Sequence, residues 1–172
     1  EAKKIKEKLA TQNISVELDD REGYSAGYKF NEWELRGVPL RIEIGPKDVE
    51  KRQAVFVRRD TGKKDIVNIG NVVKAAQATL ADIQKSLFNK AKKFLEENTH
   101  EARDFKEFEK MLESRRGMII ANWCGSSKCE TDIKEKTGAT VRCLPFEKID
   151  KLGKCIVCGK ETNNRVYFAR AY

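Results

Sequence analysis

Four of the five cysteines fall into two pairs. Cys124 and Cys129 form C-x4-C, and Cys155 and Cys158 form C-x2-C followed by Gly159. Two cysteine pairs in turns, separated by a stretch with structure of its own, match the spacing of a four-thiolate zinc site. Zinc is tetrahedral, has no ligand-field preference and takes thiolates at about 2.3 Å. Four protein ligands leave no position for water, so such a site is structural. Binding would contribute on the order of 10 kcal/mol to folding. Other chemistries share the spacing. Four thiolates also hold iron. A C-x-x-C can be a redox pair, which usually opens a helix in a thioredoxin-like unit, but here Gly159 follows and the other pair is left unexplained. Loss of one or more ligands to non-metal roles is the remaining alternative. Cys143 lies mid-strand beside Val141 and Leu144 and is expected to be a buried, inert thiol. Five cysteines cannot all pair within one chain, and no secretion signal opens the sequence, so a reducing cytosol is expected.

The remaining composition removes other chemistry. His100 is the only histidine, which excludes sites needing two histidine ligands and argues against a Ser-His-Asp or Cys-His triad. There is no Gly-rich phosphate loop, no GxGxxG after a strand and no HExxH. Lys and Arg number 35 against 27 Asp and Glu, a net charge of +8, which suggests an anionic partner. Much of this charge alternates in sign at helical spacing and reads as a solvated surface. With 40% hydrophobic and 36% charged residues, the 172-residue chain is globular in composition. No apolar run approaches the roughly 20 residues of a membrane span. The chain begins at Glu1, inside a helical pattern, and is expected to be a piece of a longer protein.

These residues need elements to position them. Ala2, Ile5 and Leu9 predict a short amphipathic helix over residues 2–12, ended by Asn13. Ile14, Val16 and Leu18 alternate with polar residues and predict a strand. Residues 20–25 are a loop, 28–36 a helix stopped by Gly37, and 40–44 a strand ending at Gly45-Pro46. A strand over 53–59, a turn at Thr61-Gly62 and a return over 64–69 make a hairpin. A long helix follows over 71–97. Its stripe of Val73, Ala76, Leu80, Ile83, Leu87, Ala91 and Phe94 is expected to be core. Then come a helix around Phe105, Phe108 and Leu112, a strand over 118–123, a loop from Cys124 to Cys129, a helix over 130–137, a strand over 139–145, a cysteine turn over 153–160 and a last strand over 166–171. A domain boundary falls near residues 98–104. A complete α/β unit needs a strand before the first helix, and that strand is expected to be missing.

Residues 23–48 carry a more specific pattern, with Lys29-Phe30-Asn31-Glu32-Trp33-Glu34-Leu35-Arg36-Gly37-Val38-Pro39 followed by Arg41, Glu43 and Gly45-Pro46-Lys47-Asp48. This run resembles the anticodon-binding domain of class IIa aminoacyl-tRNA synthetases, and most closely prolyl-tRNA synthetases of the archaeal and eukaryotic type. The resemblance continues through Arg58-Arg59-Asp60-Thr61-Gly62-Lys63, Trp123-Cys124-Gly125, Cys129-Glu130, Gly138-Ala139-Thr140, Arg142-Cys143, residues 153–160 and the terminal Tyr167-Phe168-Ala169-Arg170-Ala171-Tyr172.

The resemblance implies an α/β chain. A mixed-sheet anticodon-binding domain occupies residues 1–98, followed by a small α+β zinc-binding domain over 99–172. It implies that Glu34, Arg41, Lys47 and Asp48 read the anticodon guanines, that Phe30 stacks on an anticodon base, and that Lys63 meets the strand nearby. Chemically this is coherent. The Watson–Crick edge of guanine offers two donors and one acceptor, a carboxylate only accepts and an Arg or Lys only donates. Splayed single-stranded bases are read on their edges against aromatic rings. Without the resemblance, Glu34 and Arg41 would read as a surface ion pair, Phe30 as core, and Trp33 and Leu35 as packing residues.

The implied partners are proline tRNA and the protein's own upstream catalytic domain, which would use ATP and Mg. Zinc would be held by Cys124, Cys129, Cys155 and Cys158, and Tyr172 would pack toward the catalytic domain. A cytoplasmic homodimer with no membrane association is expected. The fragment carries nothing like the class II ATP-binding motifs and is expected to be inactive alone. Two other readings stand beside this one: a stand-alone RNA-binding accessory module, and a redox or metal-handling protein organised on the C-x2-C.

Overall fold

The computed structural model describes residues 1–114, 117–146 and 152–171. Tyr172 lies outside the described residues. The chain divides into two compact units, Glu1–Lys90 and Ala91–Tyr172. Among the described residues no helix is long and apolar enough to cross a membrane.

The first unit opens with α1 (Ala2–Ala10), which buries Ile5 and Leu9. Residues 14–18 are irregular and form no ladder with any described strand. Their alternation survives as packing, because Ile14 and Val16 rest on the apolar cluster. An extended segment becomes a strand only when a neighbour supplies the other half of its hydrogen bonds. The helix α2 (Ala26–Leu35) is capped by Ser25, whose side chain accepts from the Tyr28 N–H. β1 (Leu40–Glu43) follows, then α3 (Pro46–Glu50). The sequence reading missed α3 by taking Gly45-Pro46 only as a stop, although proline is well suited to the first turn of a helix.

β2 (Gln53–Arg58) and β3 (Lys64–Asn68) complete an antiparallel sheet of order β1-β2-β3, with Ile42 opposite Phe56 and Val55 opposite Ile66. A single 3-10 turn, Ile69–Asn71, leads into α4 (Val72–Glu97). Ile5, Leu9, Ala54, Phe56, Val72 and Ala76 form the core between helices and sheet. The stripe on α4 is core only as far as Ile83. Leu87 is 40% exposed and Phe94 69%. The helix is about 39 Å long at 1.5 Å per residue. Strands of at most six residues reach only about 20 Å, so the sheet cannot cover it.

In the second unit, β4 (Thr99–Glu101) runs parallel to β5 (Met118–Asn122), with α5 (Phe105–Ser114) between them in sequence. α6 (Ser127–Thr137) ends at Gly138, which takes the left-handed conformation that closes a helix most cheaply in glycine. β6 (Ala139–Cys143), the short hairpin of β7 (Gly153–Lys154) and β8 (Glu161–Thr162), and β9 (Arg165–Arg170) follow. The main sheet is mixed, of order β4-β5-β9-β6. Its core holds Phe108, Ile119, Ile133, Val166 and Phe168, with Phe108 edge-on to Phe168 at 5.2 Å between ring centroids. Cys143 is exposed, not buried. A bulge between Val141 and Cys143 shifts the register, so Cys143 turns away from the face that Val141 occupies.

Candidate nucleic-acid interface and metal centre

Phe30 and Glu34 lie one turn apart on α2, and β1 brings Arg41 to both. The guanidinium sits 4.1 Å from the centroid of the Phe30 ring. One of its amino groups pairs with Glu34, and its Nε donates to Glu43 Oε1 at 2.9 Å. Glu43 in turn faces Lys64 Nζ at 3.9 Å. The result is a planar donor stacked over an aromatic ring, with an acceptor beside it at the surface, where the Glu34 side chain is 45% exposed.

Nothing on α2 is fully buried, so a core does not hold it. A polar network does. Asp19 accepts from Trp33 Nε1 at 2.9 Å and from Arg21 Nε at 2.8 Å. Arg21 also bridges to Glu32 at 2.6 Å, Arg36 pairs with the other Glu32 oxygen at 2.6 Å, and Lys29 Nζ lies 3.8 Å from Asp19. The hydrogen bonds from Arg21 hold the Asp19 carboxyl well below the usual carboxylate range and depress Glu32 in the same direction. Trp33 thus anchors the helix through its indole N–H, beyond the packing expected of it. Leu35 does not pack at all. It is 89% exposed. With Asn31, Glu34 and Arg59 it lines a shallow depression of about 550 Å³.

Lys47 and Asp48 sit on α3. Asp48 accepts from the Gln53 amide at 2.9 Å and from the Gly45 N–H at 3.0 Å, and these two bonds, Gln53 foremost, lower its pKa. Lys47 is exposed. Lys63, beside the hairpin turn, pairs with Asp65 at 3.0 Å. Among the described residues no hydrogen bond or ion pair joins Lys47, Asp48 or Lys63 to the Phe30–Glu34–Arg41 group. The hairpin is braced by Arg58, which bonds Asp60 at 2.8 Å and also pairs with Asp82 on α4. Glu43, Lys64 and Asp19 were not singled out from sequence. Alternation along β1 puts Glu43 on the face of Arg41, which is the one signal that could have found it.

All four paired cysteines converge. Their sulfurs lie within 4.8 Å of one another. Cys124 Sγ is 3.6 Å from Cys129 Sγ and 3.7 Å from Cys158 Sγ. A tetrahedron with bonds of 2.3 Å has edges of about 3.8 Å, so the set fits a tetrathiolate metal. Cys124 follows β5, Cys129 lies in the first turns of α6, and Cys155 and Cys158 sit in the β7–β8 turn. The turn is tied down by Cys155 N–H to Lys160 O at 2.9 Å and Ile156 N–H to Asn122 O at 3.1 Å. Thr162 Oγ1 donates to Trp123 O at 3.1 Å. Gly153 lets the hairpin pass close to β5, since a Cβ there would displace the Asn122 side chain. Burial pushes the Cys129 thiol up to about 12. Burial also works against Cys155, but the N–H groups of Cys158, Val157 and Cys124 bring it down to about 7. Cys143 is outside the cluster.

Residues 1–79 match the family model described as the anticodon binding domain, and residues 105–172 match that of prolyl-tRNA synthetase, C-terminal. The two matches fall in the two units in turn. Three curated relatives are similar over nearly the whole chain. Proline–tRNA ligase 2 of Clostridioides difficile is 47% identical over 169 residues, 98% of this chain and 35% of the relative. Proline–tRNA ligase of Natranaerobius thermophilus is 50% identical over 159 residues, 91% of this chain and 33% of the relative. That of Alkaliphilus oremlandii is 44% identical over 171 residues, 99% of this chain and 35% of the relative. The chain belongs to the prolyl-tRNA synthetase family, of which it represents a C-terminal region. It spans about a third of the length of the curated relatives it matches.

Proposed function

We propose that this chain binds the anticodon of proline tRNA, so that a catalytic domain elsewhere in the full-length protein can ligate proline to it using ATP and Mg. The single observation that carries this reading is the Phe30–Glu34–Arg41 group. A surface ion pair is worth about 0–1 kcal/mol, so a base can open it at little cost. A guanine entering there offers two donors to Glu34 and one acceptor to Arg41, and so replaces the contacts the two residues made with each other. Phe30 supplies the stacking face once Arg41 turns from over its ring toward the base. Lys47 and Asp48 repeat the base-and-acid combination for the second guanine, with Asp48 already ionised and oriented by Gln53 and Gly45. Lys63 meets the strand beside them.

Zinc is the metal best suited to the four-thiol set, held by Cys124, Cys129, Cys155 and Cys158. It would supply cross-linking of two loops and no reaction chemistry. The functional division at residues 1–98 and 99–172, a cytoplasmic homodimeric full-length enzyme, and a role for Tyr172 toward the catalytic domain belong to the same reading.

The test is binding at one fixed salt concentration to proline tRNA and to a tRNA with both anticodon guanines changed to adenine. Salt must be fixed because a basic surface binds any RNA in a salt-dependent way. The expected loss is about 1–3 kcal/mol per changed base. Equal binding to the two tRNAs would overturn base reading by this chain.

A further inference from the structure

Leu35 and Arg59 are hard to explain as structural residues. Leu35 ends α2 with 89% of its surface in water, among charged neighbours. Arg59 is exposed, and among the described residues its side chain makes no ion pair or hydrogen bond. The contrast with Arg58, the residue before it, is direct, since Arg58 is held by Asp60 and Asp82. Both residues line the depression that also contains Asn31 and Glu34. Glu34 therefore both pairs with Arg41 and lines this depression.

We propose that the depression receives the nucleotide adjoining the guanine read by Glu34 and Arg41, a proposal that rests on the anticodon-binding reading above. Its base lies against Leu35, and its phosphate meets the Arg59 guanidinium. An uncompensated guanidinium is suited to phosphate, where Arg gives two parallel hydrogen bonds. Leu35 provides an apolar surface that any base face can cover. Asn31 offers both a donor and an acceptor, so it suits the edge of any base and adds little preference. The depression thus contributes affinity and strand direction, while choice between bases stays with the acid–base pairs. Phosphate contacts position a nucleic acid and base-edge contacts specify it.

The experiment uses R59Q and L35S, both at exposed positions where the fold is not at stake. Binding is measured to proline tRNA, to the guanine-to-adenine tRNA, and to an anticodon stem-loop lacking the base next to the guanines. For R59Q the dependence of log affinity on log salt should become shallower by about 0.7, one single-strand phosphate contact. For the wild type, removing the flanking base should weaken binding by up to about fivefold, since an aliphatic contact reaches at most the lower end of what a base stacked on an aromatic ring contributes. L35S should already show that loss and lose nothing further. Both variants should keep the wild-type ratio between guanine and adenine tRNAs. If the wild type discriminates but R59Q and L35S bind with its affinity and salt slope, the proposal is overturned. A defect that appears only in aminoacylation by the full-length enzyme would also overturn it and assign the depression to a protein contact. If the wild type itself fails to discriminate, the anticodon reading is what has failed.

Discussion

The indole N–H of Trp33 donates to Asp19 at 2.9 Å, and through this bond a helix with no fully buried residue is fixed to the preceding loop. Phe30 and Glu34 are on the same helix. Their placement over Arg41 therefore depends on residues that touch no base. D19N and W33F should each reduce affinity for proline tRNA several-fold and reduce guanine discrimination with it, since charge-assisted bonds are the main tie of α2. Metal content of the second unit should not change. Thermal unfolding followed beside tRNA binding checks this, and full discrimination in D19N would show that α2 is held by something else.

The same network predicts a response to acid. Arg21 lowers Asp19 and Glu32, Gln53 lowers Asp48, and Arg58 lowers Asp60. In each case the unfolded chain binds a proton more readily than the folded one, so these groups stabilise the fold above their unfolded values of 3.8 and 4.5. That contribution is lost as pH falls through the lower folded values. Midpoints of thermal unfolding should hold steady from pH 7 to about 5 and drop steeply below about 4. D19N should flatten that drop. An unfolding midpoint indifferent to pH across this range would contradict the assignment.

Local signals were legible in the sequence, and pairwise ones were not. The spacing of Cys124, Cys129, Cys155 and Cys158 predicted a cluster because the few residues within each pair keep its own thiols close, although Cys129 lies in α6 and not in the loop expected up to it. The hairpin around Thr61-Gly62 and the long helix follow from period and turn residues in the same way. The strand over 14–18 failed because alternation reports a face and not a partner. Cys143 failed because one bulged residue turns a side chain to the other face. Phe94 and Leu87 failed because a stripe says that a helix has an apolar side, not that something covers it. Asp19 lies in an irregular loop, and no periodicity links it to Trp33 fourteen residues on.

Metal removal should be visible in the thiols. With metal bound at the four-cysteine cluster, only Cys143 is both exposed and unligated. Thiol titration of the native chain should find one fast-reacting group, and C143S should remove it. A strong chelator should expose all five cysteines. It should also unfold the second unit, given a metal contribution on the order of 10 kcal/mol. C155S should mimic the chelator. Five fast thiols in the untreated, metal-loaded chain would exclude the tetrathiolate.

The Glu34–Arg41 pair separates recognition from stability most cleanly. E34Q removes one acceptor and introduces an amide donor that faces the guanine N1–H and amino group. It should cost about 1–3 kcal/mol of discrimination at one guanine, while a surface ion pair contributes only about 0–1 kcal/mol to folding. R41K keeps the charge but loses the planar fork and most of the stacking on Phe30, so it is not conservative here. It should weaken binding to the native tRNA more than E34Q does, and narrow its advantage over adenine at the same position. Single-position tRNA variants measured against both proteins assign the residue to the base. Should E34Q and R41K lower affinity equally for every tRNA, the pair is acting as charge alone. The carboxylate and the guanidinium then have no share in reading, and the burden falls on Lys47 and Asp48.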